Sequence, residues 1–273
     1  MNENIDIFVL SHKDFKPEVT NPVYKVMTLG GKHNIDTKLE VYNDNTLDNI
    51  SDMNFTYNEY TGIYWLWKNY NVKDYIGFNH YRRFYQFMDD VPDLNQYFND
   101  GYDIIINQPL IVNVPNVELQ YAGSHNVEDL KIVCNVIKDL YPDYSESVNY
   151  TMNCKVLYPC NMFTMSKSHF NAYCSFLFTI LDKYHQITNL KTKQDYIDRV
   201  NSGGYFKNRY PNNDLDYQIR IDGYLAERIF NVYFNKHFNN PKVFKVILTE
   251  EKYNGASTYE RLLLQNKKIT LNN

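Results

Sequence analysis

The sequence has few cysteines and no closely spaced pair of them. The four cysteines are Cys134, Cys154, Cys160 and Cys174, and no C-x-x-C motif occurs. Zinc ribbons and thiol redox sites need such pairs. We therefore expect four free thiols in a reducing compartment, and neither a zinc ribbon nor a redox centre.

Glycine is scarce too, and long hydrophobic runs are missing. The 10 glycines form no P-loop or other phosphate fingerprint, which argues against a P-loop phosphotransferase. The apolar run Ile5–Leu10 is too short for a signal sequence or a membrane span, and the opening MNEN carries no basic segment. We expect a cytoplasmic protein that contacts a membrane, such as its inner face, only peripherally.

Positive charge is not in excess. The net charge is -4 and the pI is about 6.0, so we expect no nucleic-acid partner, and any phosphate site must be local. Aromatic residues, in contrast, are abundant, with 26 tyrosines. Together with the frequent asparagines, they suit stacking on sugars and hydrogen bonding to hydroxyls.

The residue pattern predicts one α/β domain over residues 1–273, with a central, mostly parallel sheet flanked by helices. A polar segment at about 186–216 is lid-like, and a polar tail follows residue 250. The predicted strands are Asp6–Leu10, Val23–Met27, Asp74–Phe78, Asp103–Ile106, Leu157–Met165 and Val243–Leu248. The predicted helices are Glu59–Tyr70, Asp93–Phe98, Val127–Leu140, Ser168–Tyr184 and one capped by Asp222 that ends near Phe234. Residues 110–126 are predicted to be a long loop, in which His125 is either a ligand contact or, more simply, a capping or surface residue.

The chain is organised around residues 58–85, NEYTGIYWLWKNYNVKDYIGFNHYRRFY. A helix and a buried strand are followed at the strand's carboxyl end by His80, Arg82 and Arg83. Ligands of open α/β sheets bind at that edge, and guanidinium groups suit phosphate. Ser11-His12-Lys13 ends the first strand in the same way, although His12 and Lys13 are equally compatible with a solvated loop.

Several runs of the sequence resemble a bacterial family of capsule, exopolysaccharide and O-antigen biosynthesis proteins, long catalogued as a domain of unknown function. In order they are SHK at 11–13, DNIS at 48–51, EYTGIYWLWKN at 59–69, HYRRF at 80–84, YPCNMF at 158–163, YC at 173–174 with LF at 177–178, and GYLAER at 223–228. These runs cover nearly the whole chain.

The resemblance implies a GT-A-like glycosyltransferase that moves a hexose from a nucleotide sugar. A characterised relative looks like a galactofuranosyltransferase that makes a β linkage, so the implied donor is UDP-galactofuranose or UDP-galactose. The implied acceptor is an oligosaccharide or a lipid-linked glycan. Many GT-A enzymes carry an Asp-x-Asp metal motif after a central strand, where this chain has Asn79-His80-Tyr81-Arg82-Arg83.

This departure leaves metal dependence open. We expect His80, Arg82, Arg83 and Lys13 to neutralise the leaving diphosphate in place of a cation. No metal ligands are predicted, with Asp89 and Asp90 as the fallback pair for Mn²⁺ or Mg²⁺.

An inverting transfer also needs a carboxylate to take the proton of the acceptor hydroxyl. Glu59, Asp222 and Glu227 are the candidates, and the sequence does not rank them. Glu59 is also explained by a first-turn helix position, and Glu227-Arg228 by a buried structural pair. Further predicted nucleotide or sugar contacts are His12, Asp48, Thr61, Tyr158 and Asn161, although the Asp44–Asp48 run is also typical of a surface turn.

Two other classes of function stay open. A non-catalytic carbohydrate-binding protein would share the tyrosines and asparagines but has no need of paired arginines at a strand end. A nucleotide-sugar hydrolase would release free sugar instead of transferring it. Product analysis and nucleotide-sugar binding separate the three classes.

Overall fold

Runs of branched aliphatic residues form the centre of the sheet. In the computed structural model, which describes residues 2–202 and 215–249, the strand Ile5–Ser11 is buried at all seven positions. Continuous burial is typical of parallel strands that are covered on both faces. The strand therefore lies in the middle of the sheet, as its sequence predicts.

Eleven strands occur in the described ranges. They are β1 (Ile5–Ser11), β2 (Tyr24–Thr28), β3 (Val41–Asn43), β4 (Tyr75–His80), β5 (Arg83–Tyr85), β6 (Ile104–Asn107), β7 (Leu110–Ile111), β8 (Val156–Leu157), β9 (Phe163–Ser166), β10 (Pro241–Phe244) and β11 (Val246–Leu248). The main sheet has the order β10-β6-β9-β4-β1-β2-β3. In this row only β9 is antiparallel to its neighbours, while β5 and β11 extend β4 as an antiparallel ribbon and β7 pairs with β8 separately.

The helices in the same ranges are α1 (Asn54–Tyr57), α2 (Tyr60–Asn69), α3 (Leu94–Asn99), α4 (Val117–Ala122), α5 (Val127–Leu140), α6 (Ser145–Asn153), α7 (Lys167–Thr188), α8 (Lys193–Ser202), α9 (Leu215–Gln218) and α10 (Ile221–His237). Short 3₁₀ helices occur at Ser51–Met53 and Pro142–Tyr144. The predicted α/β class with a central, mostly parallel sheet flanked by helices is confirmed.

Alternate residues of the strands enter two cores. Phe8 and Leu10 of β1 pack with the helices, whereas Ile7 and Val9 pack on the other face beneath the β5–β11 ribbon. This alternation follows from the two-residue period of a strand. The larger core lies on the helix side and includes buried residues of α2, α5, α7 and α10.

Some predicted elements were wrong in detail. The single strand predicted at Leu157–Met165 is two strands, β8 and β9, in different sheets, because Cys160 and Asn161 have φ of 70° and 49° and turn the chain. The predicted loop 110–126 contains β7 and α4, and the last predicted strand is divided into β10 and β11.

The lid-like segment and the last helix also needed correction. Within 186–216, the end of α7 and all of α8 are helical, residues 203–214 lie outside the described part, and so does the tail after 250. Arg220 occupies the N-cap of α10, so Asp222 lies inside the first turn and does not cap it.

Asp44, expected in a surface turn, is fully buried. Ser51, Thr61 and the Gly30 N–H donate hydrogen bonds to its carboxylate.

Candidate active site

Strand ends and helix starts meet at one edge of the sheet. Strands β1 and β4 are parallel neighbours with Leu10 opposite His80, and the Tyr81 N–H donates to the Leu10 carbonyl at 3.0 Å. Residues 11–13 and 80–83 therefore leave the sheet side by side. Because β9 is antiparallel to β4, the turn that precedes β9 reaches the same edge.

Tyr81 lies at the centre of the positive groups. The Lys13 ammonium is 4.6 Å from the centre of its ring and the Arg82 guanidinium 5.2 Å, both within cation–π range. Arg82 Nη1 also donates to the Tyr81 hydroxyl at 2.6 Å, and the His12 ring meets the Tyr81 ring edge-on. Tyr81 had no predicted role, although it lies inside the HYRRF run.

Neighbouring positive charges contribute to the low pKa of His12. Desolvation comes first, and neighbouring cations then lower this pKa further, to about 4. In order of effect these cations are Arg220, Arg82, Lys13 and His80. We call Lys13, His80, Arg82 and Arg220 the cationic cluster, beside which His12 is neutral at pH 7. Such a concentration of like charge favours an anionic ligand.

Glu59 is the carboxylate that faces this region. It is the N-cap residue of α2, is partly buried, and its Oε1 accepts a hydrogen bond of 2.7 Å from Asn161 Nδ2. Burial raises the pKa of Glu59. Hydrogen bonds from its own backbone and from Asn161, and the charges of Arg83 and Arg220, lower this pKa by a smaller amount. A carboxylate with a raised pKa is suited to accept a proton.

Asn161 has a fixed orientation. The Tyr60 hydroxyl donates to its Oδ1, so its amide nitrogen is turned toward Glu59. Asn161 is almost fully buried and lies in a left-handed conformation directly after Cys160, which is also left-handed. His80 Nε2 hydrogen-bonds the Cys160 carbonyl, so this imidazole holds the backbone as well as lining the site.

Arg220 joins the two halves of the site. Its charge lowers the pKa of both His12 and Glu59. The hydrogen bonds from His80 to the Cys160 carbonyl and from Asn161 to Glu59 place the cationic cluster and the carboxylate in one region. Arg220 had no predicted role, although it lies only three residues before the matched run GYLAER at 223–228. Its distance of more than 100 positions from the HYRRF run hid the connection.

The other two predicted carboxylates are engaged by protein groups. Asp222 is fully buried, and it accepts from Thr56 at 2.9 Å and Tyr196 at 2.5 Å and pairs with His185 at 2.9 Å. Glu227 accepts the Cys160 N–H at 2.7 Å through one oxygen and pairs with Arg228 at 2.7 Å through the other.

The remaining predicted contacts are dispersed. Thr61 is buried and donates to Asp44 at 2.6 Å. Asp48 is exposed beside the later half of α2, where the Tyr64 hydroxyl donates to it. Tyr158 is partly buried, with its ring 4.4 Å from that of Phe234.

The fallback metal pair is a poor fit for a cation. Asp89 accepts hydrogen bonds from Thr20 and Asn21, which hold its pKa below the ordinary value, and Asp90 is exposed. Across residues 2–202 and 215–249, no three His, Cys, Asp or Glu side chains are grouped so that they could hold a metal ion. None of the helices described there is long and apolar enough to cross a membrane.

Comparison with known proteins identifies one family and one similar structure. The sequence profile of a domain of unknown function (DUF4422) matches residues 6–209, and no curated protein matches the chain. The apo structure of the bifunctional glycosyltransferase WbbM is similar, with a TM-score of 0.71 and 24% identity over 94% of this chain. The match spans 47% of the WbbM chain, about half its length. At this identity the likeness shows the fold.

Proposed function

The chain belongs to the DUF4422 family, and from this premise we propose that it is a glycosyltransferase. It moves a hexose from a nucleotide sugar to a glycan acceptor in the synthesis of cell-surface polysaccharide. The observation that carries the proposal is the hydrogen bonding of one turn to both groups at one sheet edge: His80 of the cationic cluster bonds the Cys160 carbonyl, and the next residue, Asn161, bonds Glu59. Glycosyl transfer from a nucleotide sugar needs both an anion site and a proton acceptor.

The cationic cluster binds the donor diphosphate in this proposal. Lys13, Arg82 and Arg220 provide permanent positive charge, and guanidinium groups form paired hydrogen bonds to phosphate oxygens. As the bond from the anomeric carbon to the diphosphate oxygen breaks, the oxygen keeps the electron pair, and these cations stabilise it. Transfer then proceeds without a divalent cation, in keeping with the poor fit of Asp89 and Asp90.

Glu59 is the base in this proposal. It takes the proton of an acceptor hydroxyl while that oxygen bonds to the anomeric carbon on the face opposite the diphosphate, which inverts the configuration. Asn161 orients the carboxylate, and the charges of Arg83 and Arg220 favour its ionised form. The sequence predicted that Arg83 binds the diphosphate. In this proposal Arg83 instead acts through its charge on the base, Glu59. We keep UDP-galactofuranose and UDP-galactose as donors on the strength of the resemblance given above.

The test combines product analysis with one substitution. The purified protein is incubated with UDP-galactofuranose, UDP-galactose and UDP-glucose and a synthetic oligosaccharide, in EDTA and in Mn²⁺, and products are identified by mass spectrometry. We expect transfer of one hexose in EDTA. Glu59→Gln should reduce transfer about 10³-fold while UDP binding by calorimetry is retained.

Four outcomes would count against the proposal. Release of free sugar alone would indicate a hydrolase, and sugar binding without nucleotide binding would indicate a carbohydrate-binding protein. Activity restored only by Mn²⁺ would refute the metal-free step. Unaltered transfer by Glu59→Gln would remove Glu59 as the base.

A further inference from the structure

The turn between β8 and β9 is held in an unfavourable backbone conformation. Cys160 and Asn161, two successive residues that carry a Cβ, have positive φ angles of 70° and 49°. Such conformations persist only where the surroundings impose them, and they concentrate at functional sites. The groups that impose this one therefore bear on what the turn does.

Side chains from three elements bind the backbone of this turn. Glu227 Oε1 accepts the Cys160 N–H at 2.7 Å, and His80 of β4 bonds the Cys160 carbonyl. Asn231, one turn after Glu227 on α10, accepts from the Tyr158 N–H at 2.8 Å and donates to the Tyr158 carbonyl at 2.9 Å. Asn107 of β6 donates to the Pro159 carbonyl at 3.2 Å. Three consecutive residues are thus fixed from outside the turn.

The last residue of the turn orients the proposed base. Asn161 bridges the Tyr60 hydroxyl and the Glu59 carboxylate, so a shift of the Cys160 backbone would move the amide away from Glu59. Glu227 itself has both oxygens engaged, one by Cys160 and one by Arg228, which also donates to Gln120 at 2.7 Å.

We propose that Glu227 is a positioning residue, whose carboxylate holds the 158–161 turn so that Asn161 reaches and orients Glu59. The proposal rests on the proposed function in one respect, the role of Glu59 as base. It gives Glu227 a task that needs an acceptor oxygen and no transfer of a proton. Glutamine can perform that task, whereas alanine cannot.

This difference makes Glu227→Gln and Glu227→Ala an informative pair. If Glu227 positions the turn, the glutamine variant should keep activity within about 5-fold of wild type, and the alanine variant should lose on the order of 10²-fold in kcat with little change in donor KM. If Glu227 were the base, both variants would lose about 10³-fold. Glu128→Gln, at an exposed position on α5, is the matched control for the change of side chain.

A direct readout is the titration of Glu59 followed by carboxyl ¹³C NMR, with the signal assigned through Glu59→Gln. The Asn161 hydrogen bond favours the ionised form of Glu59, so its loss should raise the pKa of Glu59, on the order of one unit in Glu227→Ala. Asn231→Leu, which removes both bonds to Tyr158, should raise it as well. Glu227→Gln and Glu128→Gln should leave it unchanged.

The two readouts separate this inference from the proposed function. A wild-type protein that turns over no nucleotide sugar would refute the proposed function, while the NMR titration would still test the positioning of Asn161. An unchanged Glu59 pKa in folded Glu227→Ala and Asn231→Leu would overturn the positioning role. Glu227→Gln as inactive as Glu59→Gln would also overturn it and make Glu227 the base.

Discussion

Tyr81 determines where the positive charge of the site lies. Its ring faces the Lys13 ammonium, and its hydroxyl accepts a hydrogen bond from Arg82. Its side chain is 8% exposed, so the ring cannot turn away from the sheet edge. A flexible arginine held at one end in this way loses less side-chain entropy when it binds a phosphate.

We expect Tyr81→Phe to weaken donor binding without disturbing the fold. The ring and its packing against Phe15 remain, but Arg82 loses its 2.6 Å hydrogen bond to the hydroxyl. A hydrogen bond from a charged group contributes roughly 1.5–3 kcal/mol, so donor KM should rise at least 10-fold, with a smaller change in kcat. Steady-state kinetics measures this effect. Tyr150→Phe, at an exposed tyrosine, is the control, and equal KM values in the two variants would contradict the role of Tyr81.

Helix α8 is attached to the helical layer through two buried carboxylates. Its Tyr196 donates to Asp222 of α10, and its Arg199 pairs with Asp129 of α5 at 2.7 Å. Asp129 is 1% exposed, and this burial raises the pKa of its carboxyl group. The contacts with Arg199 and Tyr184 lower the same pKa by a smaller amount. This helix lies in the segment that the sequence predicted to be lid-like, yet it is anchored in the core.

Arg199→Ala should destabilise the protein by about 3–5 kcal/mol, because it leaves a buried carboxylate without its cation. Lys193→Ala, on the same helix, removes only an exposed pair with Asp216 and should cost less than about 1 kcal/mol. Urea denaturation gives both values. Equal losses in the two variants would show that the Asp129 pair does not anchor α8, and Asp129→Asn combined with Arg199→Ala should recover part of the stability.

At the scale of the whole molecule, buried histidines connect stability to pH. Burial is the first cause that lowers the pKa of His125, His169 and His237. His185 differs, since its hydrogen bond to Asp222 and the charge of that carboxylate outweigh burial and raise its pKa. The unfolded chain therefore binds more protons than the folded one at mildly acidic pH, except at His185.

The thermal midpoint should fall by several degrees as the pH drops from 7.5 to 5.5. The lowered pKa values make protonation near pH 6.5 favour the unfolded state, so stability is lost as the pH falls below that value. His185 has the opposite effect on stability, because its pKa is raised in the folded state. The stability that it contributes is lost as the pH rises through that pKa. Calorimetry should show a flatter pH profile for His125→Gln and a steeper one for His185→Gln. Parallel profiles in all three proteins would contradict this assignment.

The sequence by itself determined the central strands of the sheet and five of the ten helices in the described ranges. Continuous apolar runs predicted β1, β4 and β6, and the 3.6-residue period predicted α2 and α5 to within a residue, because both patterns are local. It also placed Lys13, His80 and Arg82 at strand ends, and parallel pairing then brings those ends together.

Only the tertiary structure decided which carboxylate faces the cations. The sequence did not rank Glu59, Asp222 and Glu227, because two of them lie in matched runs and Asp222 directly precedes one. Their environments depend on partners as far as 166 positions away. The left-handed turn at Cys160 and Asn161 was hidden for the same reason, since distant side chains hold it against local preference. Arg220 joins the site through the packing of α10, a long-range contact that no local pattern encodes.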